Sequence, residues 1–295
     1  MRHAYEGAFN RRTYLQIKFH CMCPNRQASR VLSFVLVSAI VLFSCTGNKY
    51  ARTNKVHRRH VKELTKQLRA QPDQYPTLKP DYWVGTTNFN LRKPSFVVIH
   101  HTAQNSCDQT LRTFTLKRTQ VSAHYVICKE GIIHHMLNDY LRAWHGGIGR
   151  WGNITDINSS SIGIELDNNG YEPFDPRQIE SLLILLDTLK KKYTIPQSNF
   201  IGHLDIAPTR KNDPNIYFPW NRLSERGFGN WYSDTTGIEL PPTFDHLHAL
   251  RVIGYDMRDT SAAIGAFKRH FVADSIPILN EQDRKILYQL VYKYY

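Results

Sequence analysis

Cysteine is scarce in this 295-residue chain, with five residues in all, and acids are fewer than bases, 25 Asp+Glu against 38 Lys+Arg. Five cysteines are too few for a disulfide scaffold of this length. No uncharged apolar stretch reaches the ~20 residues of a membrane-spanning helix, which excludes a polytopic membrane protein. The chain contains neither His-Glu-x-x-His nor Cys-x-x-Cys, so no short zinc signature applies. Internal repeats and low-complexity tracts are also absent. What is present is an ordinary globular composition, 41% hydrophobic, which excludes wholesale disorder.

The shortage of acid is local. Residues 1–60 hold 11 Lys+Arg and one acid, Glu6, whereas residues 61–295 hold 27 bases and 24 acids. Most of the formal charge of +13 therefore belongs to the N-terminal segment, and the remainder shows no basic stripe for nucleic acid. No nucleic-acid partner is expected. Val31–Phe43 is an uncharged run of 13 residues preceded by Arg26 and Arg30. A basic stretch, a short apolar core and small residues at its end read as a secretory signal over residues 1–44, with Met22 as an alternative start. Leu42-Phe43-Ser44-Cys45 resembles the bacterial lipobox. That resemblance implies lipidation of Cys45 and a lipid-anchored chain in the cell envelope, expected at the outer membrane facing the periplasm. A cleaved soluble signal and an uncleaved anchor are the alternatives. An exported body permits a Cys107–Cys128 disulfide, and two buried free thiols fit equally well.

Residues 45–74 read as a lipidated cysteine and basic tether. The following pattern predicts an α/β fold over residues 75–235, a mixed central β-sheet flanked by helices. Phe96-Val97-Val98-Ile99 reads as a buried strand ending at His100-His101. Ser106-x-x-Gln109 opens a helix expected to run to about Thr119, with Leu111 and Phe114 inward. Lys129-Glu130-Gly131 marks a hairpin turn, and Ser161–Leu166 and Asn199–Gly202 are further strands. Asp175-Pro176 caps a helix whose Leu182, Leu185, Leu186 and Leu189 form one stripe. Gly227–Pro242 reads as a linker to a small three-helix domain over residues 240–295, where His246, His248 and His270 are expected at the surface.

Seven of the 14 histidines fall between residues 95 and 225. Imidazole is the commonest metal ligand, but scattered histidines are as often structural. Position narrows the choice. His100 ends an apolar strand, His203 follows another, and Asp213 lies ten residues later on a loop broken by Pro208 and Pro214. Lys211 is close enough to share that cleft. Glu165, inside Ile162-Gly163-Ile164-Glu165-Leu166, is a carboxylate costly to bury alone; a core ion pair with Arg142 or Arg210 is its structural alternative. His124, Trp144 and His145 fit packing or supporting hydrogen bonds as well as substrate contact.

Five blocks in register carry a resemblance: Val98-Ile99-His100-His101-Thr102-Ala103, Ser122-Ala123-His124-Tyr125, Ala143-Trp144-His145-Gly146-Gly147, Ser161–Leu166 and Gly202-His203-Leu204-Asp205-Ile206-Ala207-Pro208. Over about residues 75–235 the chain resembles the zinc-dependent N-acetylmuramoyl-L-alanine amidases. This amidase_2 group also includes phage lysozyme-amidases and peptidoglycan recognition proteins. Arg210-Lys211-Asn212-Asp213-Pro214 and Phe218-Pro219-Trp220 resemble its outer-membrane lipoprotein branch, as do residues 240–295 with a peptidoglycan-binding-like helical region.

The resemblance implies Zn²⁺ held by His100, His203 and Asp213, with Glu165 as general base and Lys211 as the cation beside the developing oxyanion. Peptidoglycan and muropeptide fragments are the implied partners, and a monomer is expected. The third ligand is typically missing from relatives that bind without cleaving, so Asp213 favours catalysis. A non-catalytic wall-binding lipoprotein is the alternative. Two positions depart from the family pattern: Ala123 stands where some phage relatives have a tyrosine, and His101 where an aromatic is found beside the first ligand.

Overall fold

The computed structural model describes residues 49–69 and 86–295. The expected signal segment and Cys45 lie outside the described residues. The chain divides into two compact units, Met1–Trp83 and Val84–Tyr295. In the first, the stretch expected to be a tether forms a 19-residue helix, α1 (Ala51–Arg69), with no buried residue. Among the described residues no helix is long and apolar enough to cross a membrane.

The second unit runs β1 (Phe96–His101), α2 (Cys107–Thr115), β2 (Tyr125–Ile127), β3 (Ile133–His135), α3 (Ile157–Ser160), β4 (Ser161–Leu166), α4 (Pro176–Tyr193), β5 (Phe200–Gly202), α5 (His203–Ile206) and α6 (Trp220–Glu225), then α7 (His246–Ile253), α8 (Thr260–Phe271) and α9 (Glu281–Tyr294). The five strands make one mixed sheet in the order β3-β2-β4-β1-β5. Only the β2–β3 hairpin is antiparallel; β2–β4, β4–β1 and β1–β5 are parallel.

Successive strand residues face opposite sides of a sheet, and both sides are covered here. Val97, Ile99, Ile162, Ile164 and Leu166 share one core with Leu182, Leu186 and Leu189 of α4. Each such leucine contributes about 2 kcal/mol by leaving water. Asp175 accepts from the Arg177 amide and Pro176 occupies the first turn of α4, as the sequence pattern predicts. Phe96, Val98 and Ile201 share the second core with Leu250, Phe267 and Leu287 of α7, α8 and α9. The three C-terminal helices therefore close the second face of the sheet instead of standing apart on a linker. The intervening stretch is packed as well: Phe228 is buried and Trp231 lies against both cores.

Two polar knots tie these layers. Asp205, fully buried on α5, accepts from Gly202 N at 2.7 Å, His270 Nδ1 at 2.8 Å and the Tyr255 hydroxyl at 2.9 Å. His270 is thus not a surface residue: it is 5% exposed and its ring stacks on Trp220 with centroids 3.9 Å apart. His248 is exposed and His246 half-buried. In the second knot, Asp139 accepts from Tyr125 at 2.6 Å, Tyr193 at 2.7 Å and Lys192 at 2.9 Å, joining the end of α4 to β2.

Helix α2 starts as expected, with Ser106 accepting from the Gln109 amide, but ends at Thr115 and yields to a 3₁₀ turn at Lys117–Thr119. The Gln109 side chain accepts from Asn105 N, one residue before the cap. Cys107 and Cys128 form a disulfide that fastens the start of α2 to the end of β2.

Candidate functional site

In the sheet register His100 lies beside Glu165, and Ile99 beside Gly202, the residue before His203. Register partners share a face, so three strand ends deliver His100, Glu165 and His203 in one row. The row lies at the carboxyl edge of the parallel strands, where open α/β sheets bind ligands. Asp213 joins it because the loop after α5 folds back: Leu204 N donates to Asp213 O at 2.7 Å, and Arg210 N and Lys211 N both donate to Ala207 O. The result is a cleft of about 300 Å³ lined by His100, Glu165, His203, Lys211 and Asp213, with Trp144 among the other lining residues.

Three ligand atoms converge. His100 Nδ1 lies 2.9 Å from His203 Nδ1, and Asp213 Oδ2 lies 3.0 Å from each. The edge of a tetrahedron with 2.0–2.1 Å ligand bonds is about 3.3 Å, close to this spacing. The hydrogen bonds behind the rings set their tautomers. His203 Nε2 donates to Gly146 O at 3.0 Å, which leaves Nδ1 as an acceptor. Behind His100, the Ser161 hydroxyl donates to Ile157 O at 2.6 Å and accepts from His145 Nε2 at 3.1 Å. His145 Nδ1 then accepts from His100 Nε2 at 3.0 Å. Both Nδ1 lone pairs and a carboxylate oxygen thus point at one another. Three acceptors at such distances repel unless a cation sits between them, and two imidazoles with one carboxylate are a donor set suited to Zn²⁺.

The surroundings favour neutral rings. Burial, and then His203, pulls His100 down to about 4. Burial, followed by the neighbouring His100, carries His145 well below the ordinary imidazole value. Neutral imidazoles and an ionised carboxylate are the protonation states that metal ligation needs.

Glu165 forms neither ion pair considered for it. Arg142 pairs with Asp156 at 2.9 Å, and Arg210 donates to the carbonyls of Gly146 and Ile148. Glu165 Oε2 is buried without a hydrogen-bond partner. Burial, with the Asp213 charge added to it, pushes Glu165 up to about 8 against the opposing pull of Lys211. A buried carboxyl poised near neutrality in a cleft is suited to taking and returning a proton.

Each sequence-predicted site residue in the second unit falls in this cleft. His145 and Ser161 acquire a definite task, orienting the His100 ring. The sequence signal for it was weak: His145 stands in a Trp-His-Gly-Gly block and Gly163 interrupts an apolar strand. Together they fit, because a Cβ on Gly163 would come within 2.3 Å of the His145 ring. His124 is structural, accepting from Gly163 N at 3.0 Å through Nδ1 and donating to Leu141 O at 2.9 Å through Nε2. Cys107, Cys128 and His134 also lie within ligand distance of one another, but the disulfide consumes both sulfurs.

The profile of the N-acetylmuramoyl-L-alanine amidase family, Amidase_2, matches residues 90–216. The Escherichia coli (strain K12) N-acetylmuramoyl-L-alanine amidase AmiD is 31% identical over 269 residues, covering 81% of this chain and 88% of that protein. The 1,6-anhydro-N-acetylmuramyl-L-alanine amidase AmpD of Haemophilus influenzae is 39% identical over 104 residues, 35% of this chain and 56% of its own length. Among solved structures, E. coli AmiD with the substrate anhydro-N-acetylmuramic acid-L-Ala-D-γ-Glu-L-Lys superposes with a TM-score of 0.62 at 29% identity, over 75% of this chain and 97% of that one. Pseudomonas aeruginosa AmpDh3 with anhydromuramic pentapeptide gives a TM-score of 0.63 at 29% identity, over 75% and 99%. With 31% identity to AmiD over most of both chains and the same fold over three quarters of this one, the chain belongs to the N-acetylmuramoyl-L-alanine amidase family.

Proposed function

We propose that the chain is a zinc-dependent amidase that cleaves the bond between the lactyl carbonyl of MurNAc or anhydro-MurNAc and the L-alanine nitrogen of the stem peptide, in peptidoglycan turnover and recycling. The carrying observation is the convergence of His100 Nδ1, His203 Nδ1 and Asp213 Oδ2 within 3.0 Å of one another, in the cleft that Glu165 also lines. His100, His203 and Asp213 would hold Zn²⁺, which would supply Lewis acidity at the scissile carbonyl and lower the pKa of water there. Glu165 accepts the proton of that water at its unpartnered carboxylate and returns it to the departing nitrogen. Lys211 faces the negative charge that develops on the carbonyl oxygen. The products are a lactyl carboxylate on the sugar and a peptide beginning with L-alanine.

We further propose that residues 1–44 are removed on export, that Cys45 is lipidated, and that the monomeric enzyme works in the cell envelope, anchored at the outer membrane and facing the periplasm. The short apolar run and the lipobox resemblance support this reading. The test is digestion of sacculi and purified anhydro-muropeptides with and without a chelator, with products identified by mass and activity restored by zinc. Glu165→Gln is expected to keep its zinc and lose about 10³-fold in turnover. Near-wild-type turnover by that variant would overturn the assignment of the base.

A further inference from the structure

We propose that α1 lies with one face against an anionic phospholipid surface. Arg52, Lys55, Arg59, Lys62, Lys66 and Arg69 recur along α1 at alternating steps of three and four residues. That spacing places them in a single straight stripe, with Arg58 at its edge and Glu63 the one acid in the helix. The stripe runs for roughly 26 Å at the α-helical rise. The opposite side carries His57, Val61, Leu64 and Leu68 at the same alternation. Two leucines and a valine are too little apolar surface to drive the helix into hydrocarbon, so attraction must come from charge.

None of the 19 residues of α1 is buried, and among the described residues no ion pair engages the stripe. Like charges three and four residues apart oppose the helix that carries them. A surface of phosphates opposite the stripe relieves that repulsion along its whole length. A bilayer is favoured over other polyanions by position. Cys45 stands six residues before Ala51, a reach of at most ~21 Å for extended chain. The inference rests on the envelope reading for this proximity, but the stripe's affinity for anionic lipid does not depend on lipidation.

The test reconstitutes the full chain, matured in the producing cell, with vesicles of pure phosphatidylcholine or about one-third phosphatidylglycerol. A membrane-impermeant amine reagent then labels the lysines, read by mass spectrometry, with exposed Lys191 on the folded body as reference. On the anionic vesicles Lys55, Lys62 and Lys66 are expected to react about tenfold more slowly than on neutral ones, and 0.5 M salt should abolish the difference by screening. Arg52→Gln/Arg59→Gln/Arg69→Gln removes half the stripe and keeps its lysine reporters. This variant should lose most of the protection while hydrolysing soluble anhydro-muropeptide like wild type. Leu64→Ser should keep the protection.

Flotation of the wild-type chain separates the two readings. Flotation with both vesicle types but equal lysine labelling overturns this inference and leaves the anchor standing. Salt-sensitive flotation with anionic vesicles alone supports the stripe and overturns the anchor; flotation with neither overturns both. Protection by added DNA on neutral vesicles, with none from anionic lipid, replaces the bilayer with nucleic acid as partner and overturns the inference.

Discussion

At Lys211 the side chain faces the cleft from the tight loop after α5, and among the described residues it forms no ion pair. Its charge draws against the raised Glu165 carboxyl and, on the proposed mechanism, meets what enters the cleft. Lys211→Met removes the charge and keeps the stem. The expected outcome is a loss of about 10²–10³ in kcat with little change in KM, read from initial rates on anhydro-muropeptide; an equal rise in KM would instead assign Lys211 to ground-state binding. Gly163 acts at one remove. The space its missing Cβ leaves is filled by the His145 ring, which in turn holds the tautomer of His100. Gly163→Ala should therefore weaken zinc binding by about 10–100-fold, measured by competition with a chromophoric chelator. Unchanged affinity would show that His145 does not orient the ligand.

Among the elements, α4 shows how a helix is fixed from both ends. Its start is written in Asp175-Pro176 and its buried stripe in the leucine spacing, whereas its far end is held by Asp139 from another part of the chain. Burial alone would raise Asp139, but hydrogen bonds from Tyr125, Tyr193 and Lys192 hold it below the ordinary aspartate value. A carboxyl depressed in the folded state stabilises the fold above its unfolded pKa of ~3.9, and that contribution is lost as pH falls through the lower folded value. Asp139→Ala is expected to cost roughly 1–3 kcal/mol near pH 7, and the gap to wild type should close below about pH 4 in urea denaturation. A gap independent of pH would mean packing, not charge, sets the cost.

The same contrast explains what could be read in advance. The strands and α4 follow from local pattern, and the family resemblance points to His100, His203 and Asp213, which the fold brings together. The burial of His270 does not, because its partner Asp205 lies 65 residues away and nothing in the spacing of α8 points to it. The end of α2 is not legible for a related reason: Leu116 leaves helical backbone for an extended conformation, and no breaker residue announces it. His145 stayed ambiguous because its role appears only once β4 lies beside β1.

At the scale of the whole molecule, the second core binds the sheet and the C-terminal helices into one unit. Removal of residues 240–295 would strip the partners of Phe96, Val98 and Ile201 and leave Asp205 without Tyr255 and His270. The truncated chain is expected to bind a hydrophobic dye strongly and to lose its cooperative thermal transition. A cooperative transition within a few degrees of wild type would show instead that the helices are dispensable.

The row of residues at the sheet edge also bears on how the protein folds. His100 and His203 are 103 residues apart in sequence, and His100 and Asp213 are 113 apart. The β1–β4 pairing must close a long loop and the β1–β5 pairing a longer one, each an entropic cost met before any ligand atom meets another. No partly folded chain that lacks β5 holds the triad. On the proposed zinc reading, competence to capture the metal requires β5 to have docked, and the rate at which refolding chains take up zinc would report that step.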